Sequence, residues 1–361
     1  MLTLRRRLIN LCLLSASSAF CLLAVDYFLR IIGVPSQNGR VMLLAGGNLF
    51  TNKYGIRQYS PSTQLRHSAV YGNTLEYSYL FETDPNGFRL TNTCNKESNR
   101  SPAVIFVGDS YTEGQGSESP WTSSLQKILC SRGFYSINAS IAGYGVLEME
   151  KVVSYMLNKG LDVKHVYLAI IPDDLYRKPV SIVSSPQCSM YVLGSRANCG
   201  EYPTWWHHPM ELNGDQLVKE AKKRYNYGLL PLLHISSSLL RARLGQPSIQ
   251  KTTAHEVIYK PPEILTESIR AVNRIAYSLG SEKFSLFILP SKQYLQDSNS
   301  PRAIQKNADI SHFLSALNPS LEIYDLRGCS LQPEHFFEND PHLNQKGHYK
   351  LAECAIDALG K

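Results

Sequence analysis

Five consecutive apolar residues, Ala103 to Val107, run directly into Gly108-Asp109-Ser110. A run apolar at every position has no polar side to turn to water, so it belongs to a strand buried on both faces, as in a parallel sheet between helices. Further segments repeat the pattern. Tyr135 to Ala139, His165 to Ile171, Phe284 to Leu289 and Leu321 to Asp325 read as strands. Between them, Trp121 to Arg132, Leu147 to Asn158, Ile264 to Leu279, Ile304 to Leu317 and His348 to Leu359 carry apolar residues at helical spacing. Strand–helix alternation from residue 101 onward predicts an α/β/α domain with a parallel sheet covered on both faces.

Two regions fall outside this rhythm. Residues 31–100 read as an irregular extension with a few short strands, such as Leu75 to Phe81, closing in the turn sequence Asp84-Pro85-Asn86-Gly87. Residues 178–260 are too long for an ordinary loop and contain apolar pieces such as Leu229 to Leu240. They read as an insertion, a partly helical lid over the site.

Residues 1–30 read as a targeting segment. Arg5, Arg6 and Arg7 precede an apolar run from Leu8 to Val25, about 27 Å of helix and just enough for a hydrocarbon core of about 30 Å. Basic residues before the run and Asp26 after it orient the N-terminus to the cytoplasm, with the rest of the chain periplasmic or extracellular. A cleaved signal peptide is the alternative, given the small residues Ser15 to Ala19. Phe20 before Cys21 is too large for a lipidation site. The arginines supply three of the formal net charge of +7, and no basic run follows, so nucleic acid is not an expected partner. Of eight cysteines, Cys12 and Cys21 fall in the anchor. The other six permit disulfides in an exported domain, with Cys188 and Cys199 the first pair to consider, and none has zinc spacing.

A nucleophile in a parallel sheet belongs just past the carboxyl end of a strand. Ser110 meets that condition. A serine needs a base, and His342 in Asp340-Pro341-His342-Leu343-Asn344 is the candidate, with Asp340 placed to orient its ring. His335 is a rival base without an adjacent acid.

These residues together resemble the SGNH/GDSL hydrolase superfamily over roughly residues 101 to 361. Gly108-Asp109-Ser110-Tyr111-Thr112-Glu113-Gly114 resembles the block that carries the nucleophile, and Asn138 to Gly143 the second block. Asp340 and His342, with Asn344 and Gly347-His348 after them, resemble the last block. The resemblance implies a three-layer, flavodoxin-like fold, a Ser110–His342–Asp340 triad and an oxyanion held by the Ser110 and Gly143 amides, with no metal or organic cofactor. Two departures stand out. One residue separates acid from base, where two is commoner and would bring Asn339 to the acid position. The shorter spacing resembles polysaccharide O-acetyltransferases of the alginate type. In the third block Asp173 takes the place of the family's oxyanion-donating Asn. An ionised carboxylate accepts hydrogen bonds and repels an oxyanion. Protonation beside Asp174, a hole built on the two amides alone, or an impaired enzyme would each account for it. Asp174 itself reads as a cap for the segment that follows.

The expectation is a membrane-anchored serine esterase acting on O-acylated glycans. Its alternatives are an O-acetyltransferase to a polysaccharide and a catalytically impaired glycan-binding or assembly protein. Trp205-Trp206-His207-His208 reads first as a packed loop, with sugar stacking or metal binding as the functional option. The glycosylation pattern at Asn138-Ala139-Ser140 is discounted because it falls within a buried block.

Overall fold

The computed structural model describes residues 10, 13–25, 27, 40–91, 102–179, 208–224, 262–292, 295 and 301–360. The segments read as strands form β7 (Ala103–Gly108), β8 (Tyr135–Asn138), β9 (Val163–Ile170), β10 (Phe284–Ile288) and β11 (Glu322–Asp325), of which β7 and β10 are buried along their whole length. They make one sheet in the order β11-β10-β9-β7-β8, with every neighbouring pair parallel. Counted within this sheet the order is 2-1-3-4-5, so the topological switch lies at the carboxyl ends of β7 and β9.

Helices cover both faces. The short helix α1 (Ser110–Glu113) leaves β7; α2 (Trp121–Ser131) and α7 (Gln345–Leu359) lie on one face. Trp121, Leu125, Leu351 and Ala355 there pack on Val104, Phe106 and Phe287. The other face carries α3 (Val146–Asn158), α5 (Glu263–Leu279) and α6 (Pro301–Ser315). Met149, Val153, Leu265, Val272 and Phe313 pack there against Ile105, Leu168 and Leu286. Each helix begins and ends within a few residues of its apolar periodicity, because that stripe is what the sheet buries.

The extension before residue 101 is more ordered than its composition suggests. The strands β1 (Arg40–Ala45), β4 (Gln64–Tyr71), β5 (Thr74–Thr83) and β6 (Arg89–Leu90) form a four-stranded antiparallel sheet. A small hairpin, β2 (Leu49–Thr51) with β3 (Arg57–Tyr59), precedes β4. The pattern of β5 is aromatic, alternating and partly polar. Tyr77, Tyr79 and Phe81 point to the buried side of β5, and the guanidinium of Arg89 lies 4.9 Å from the Tyr79 ring and 5.3 Å from the Phe81 ring. Polar side chains that read as loop are buried here because partners elsewhere in the chain receive them.

Of the insertion, residues 208–224 are described. The helix α4 (Gly214–Arg224), with Leu217 and Ala221 buried, backs β1, β4 and β5, so this part of the insertion supports the antiparallel sheet. Leu229 to Leu240, Cys188, Cys199 and Trp205 to His207 lie outside the described residues. His208 is exposed and precedes a short turn, Pro209–Glu211.

Residues 13–25 are helical and their side chains exposed. No helix among the described residues is long and apolar enough to cross a membrane.

A disulfide the spacing did not single out joins Cys329, beside β11, to Cys354 in α7, and Cys130 is also disulfide-bonded. The 25-residue separation predicts that replacing Cys329 and Cys354 together by Ala costs about 3 kcal/mol in urea unfolding.

Candidate active site

Gly108 ends β7 where any side chain would strike Thr112 and the Ala169 carbonyl of the neighbouring strand. Asp109 caps α1 by accepting the Tyr111 N–H at 2.9 Å. Ser110 is therefore the first helical residue past the strand, at the switch point, and it is buried.

His342 Nε2 lies 2.6 Å from Ser110 Oγ. Its Nδ1 contacts Asp340 Oδ1, and the same oxygen accepts the His342 backbone N–H at 2.9 Å. The single intervening residue, Pro341, makes this geometry natural: a carboxylate bonding the backbone two residues on is an Asx turn. Nδ1–H donated to Asp340 leaves Nε2 as the acceptor facing the serine. Asp340 is fully buried, and its Oδ2 accepts from the Tyr71 hydroxyl at 2.8 Å. The loop is fastened from several sides. Lys292 donates to the carbonyls of Phe337 and Glu338 at 2.6 and 2.7 Å. Glu76 accepts from the Asn339 backbone and side chain, both at 2.8 Å. The Tyr111 hydroxyl donates to Pro341 O at 2.7 Å. Tyr71 and Glu76 come from the antiparallel sheet and had no signal in the sequence.

His335 is occupied differently, with Nδ1 accepting the Gln332 N–H at 2.7 Å within its own turn. Asn344 caps α7 by accepting the Gly347 N–H at 3.1 Å. His348 is buried, its pKa lowered to about 3 by that burial, and its Nδ1 accepts the Trp121 N–H at 3.3 Å. Asn138 is buried and donates to Thr112 O at 2.9 Å.

Among the described residues no hydrogen bond engages the backbone N–H of Ser110 or of Gly143. Gly143 has φ +78°, a conformation an L side chain rarely adopts. Asp173 follows β9 and forms an ion pair with Lys306 of α6. Its charge is thus met by an ammonium group, while Asp174 caps its own segment by accepting the Ile171 N–H at 3.0 Å and pairs with Arg177, which also reaches Asp109 at 2.9 Å.

Glu113 ties the site together. It is fully buried, three residues after Ser110, and accepts the Tyr59 hydroxyl at 2.7 Å and the Ala142 N–H at 2.6 Å. Burial raises its pKa to about 7, against the lowering effect of the Tyr59 hydrogen bond and the Arg89 charge.

No protein-family model matches the sequence, and no curated protein sequence matches it. Solved structures similar to it include the lipase/acylhydrolase from Enterococcus faecalis, 12% identical over 72% of this chain and 95% of that one, with a TM-score of 0.37. A Clostridium thermocellum family 3 carbohydrate esterase is 14% identical over 72% and 94%, at 0.36. An acetylxylan esterase from Geobacillus stearothermophilus is 12% identical over 72% and 94%, at 0.39. Likeness at this level decides neither activity nor substrate.

Glu113 makes a pH prediction. The folded pKa is raised, so its contribution is complete below the ordinary carboxylate range, where both states hold the proton. It is lost as pH rises through about 7, because the unfolded chain releases its proton first. Urea unfolding should lose on the order of 3 kcal/mol between about pH 4.5 and about pH 7.5 through this group, and Glu113→Gln should remove that part of the slope.

Proposed function

We propose that this chain is a serine esterase whose nucleophile is Ser110, with His342 as general base and Asp340 as the acid that orients it. The observation that carries the reading is the unbroken contact line from Ser110 Oγ through the His342 ring to a buried Asp340, beside two backbone amides that no hydrogen bond engages among the described residues. Ser110 attacks an ester carbonyl while His342 Nε2 takes its proton, and Asp340 stabilises the resulting imidazolium. The Ser110 and Gly143 amides receive the oxyanion. His342 then protonates the departing alcohol, and an acyl-Ser110 intermediate remains. Water or a sugar hydroxyl, deprotonated by His342, releases the acyl group.

Asp173 has a definite place in this scheme. Its pairing with Lys306 lowers the repulsion a bare carboxylate would exert on an oxyanion, so a hole of two backbone amides can operate beside it.

The substrate class is an O-acylated glycan, a reading that rests on the resemblance to polysaccharide O-acetyltransferases and on location. We place the catalytic domain outside the cytoplasm, on a single N-terminal anchor. Leu13, Leu14, Phe20, Leu22 and Leu23 are exposed on their helix, with none of the described residues covering them, which is the condition a bilayer relieves. The disulfide between Cys329 and Cys354 agrees with an oxidising compartment.

Hydrolysis of p-nitrophenyl acetate tests the chemistry. Turnover should fall at least about 10³-fold in Ser110→Ala. Lys306→Met, which strips the counter-charge from Asp173, should slow the reaction about tenfold, with Asp173→Asn in the same chain restoring most of the loss. A folded wild type no faster than Ser110→Ala would sink the esterase. An acetyl donor offered with a glycan acceptor then separates a strict transferase from a binding protein.

A further inference from the structure

The Gly143 amide is a donor on a residue with unusual rotational freedom. Glycine at positive φ allows the 142–143 peptide to turn over at low cost, and turning it over would replace the donor in the hole with a carbonyl oxygen. Something must fix that peptide.

Arg57 is placed to do so. It lies in β3 of the extension, is 4% exposed, and uses all three guanidinium nitrogens. Nε and Nη2 make a forked bond to Glu148 of α3 at 3.0 and 2.9 Å. Nη1 donates to the Ala142 carbonyl at 3.0 Å. The guanidinium also lies over the Tyr144 ring, 4.9 Å from its centre. In a trans peptide the C=O of one residue and the N–H of the next share a plane and point in opposite directions. The hydrogen bond on Ala142 O therefore fixes where the Gly143 N–H points, which is away from Arg57. On the preceding peptide the Ala142 N–H is held by Glu113 from the helix of Ser110, so the loop is gripped on both sides of residue 142.

We propose that Arg57 is a positioning residue that locks the Ala142–Gly143 peptide with its N–H turned toward the oxyanion, acting through Gly143 and not on the substrate. The proposal rests on the esterase reading above. It assigns the β2–β3 hairpin of the extension a part in transition-state stabilisation. Because the developing oxyanion, more than the ground-state carbonyl, is what the amide binds, loss of the lock lowers kcat and leaves KM nearly unchanged.

The test uses the full chain with p-nitrophenyl acetate, and a trifluoromethyl ketone as a probe whose adduct places an oxyanion in the hole. Two variants are compared with wild type. Arg57→Lys keeps the charge opposite Glu148 but has no planar fork. The double variant Arg57→Met with Glu148→Met removes the ion pair without stranding a charge, a replacement that buried pairs tolerate. The expected result is a kcat lowered about 10–100-fold, somewhat less than loss of a whole oxyanion donor, with KM within about twofold and ketone affinity lowered in parallel. Whichever variant keeps the wild-type unfolding midpoint decides. A folded variant with kcat and ketone affinity within about twofold of wild type overturns the proposal, as does a kcat loss matched by no change in ketone affinity. An inert wild type overturns the esterase reading, and the proposal with it, and is distinguishable because the wild type is measured first.

Discussion

A buried carboxylate needs donors, and Glu113 finds them in segments far apart in the chain. Desolvating an ionised carboxylate costs several kcal/mol unless hydrogen bonds replace the lost water. Glu113 is fully buried and draws on Tyr59 of the antiparallel hairpin and on the Ala142 amide of the loop after β8. Arg89 reinforces the arrangement from beneath. It donates to the carbonyls of Glu113 and Gly114 at 3.1 and 2.8 Å, and so closes the end of the helix that begins with Ser110. The helix that begins with Ser110, the loop that carries Ala142 and the extension are satisfied together or not at all.

The antiparallel extension consequently reaches both sides of the site. Its β3 end supplies Arg57 to the Ala142 carbonyl and Tyr59 to Glu113. The β4–β5 end supplies Tyr71 to Asp340 and Glu76 to Asn339. A parallel sheet with helices on both faces brings Ser110 and His342 to one edge, but it leaves long loops beyond the strands to be held. Here hydrogen bonds from the extension help to hold them. Asp173 follows the same rule of compensated charge: a carboxylate beside the site is answered by Lys306 from α6.

The parallel sheet was legible because each of its strands carries its own evidence. Ala103 to Val107 is apolar at every position, and burial on both faces requires that of a strand wherever its neighbours come from. The meeting of His342 with Ser110 was legible for a similar reason, since a serine just past a strand and an Asp-x-His turn are local patterns. The antiparallel extension, four-stranded sheet and hairpin together, was not. Arg57, His67, Ser68, Thr83 and Arg89 are all buried, yet each reads as solvent-facing until its partner is known, and for Arg57 that partner lies 91 positions away. The pairing of Cys329 with Cys354 is hidden in the same way, because it follows from how α7 returns to the end of β11.

The central claim is that Ser110 is an activated nucleophile, and covalent labelling tests it most directly. The full chain is treated with a fluorophosphonate and the adduct located by peptide mass. The account predicts a single stoichiometric adduct on Ser110, formed in wild type and absent from His342→Gln, because His342 Nε2 must remove the serine proton. Folded wild-type protein that stays unlabelled, or labelling of Ser110 that proceeds equally without His342, would contradict it.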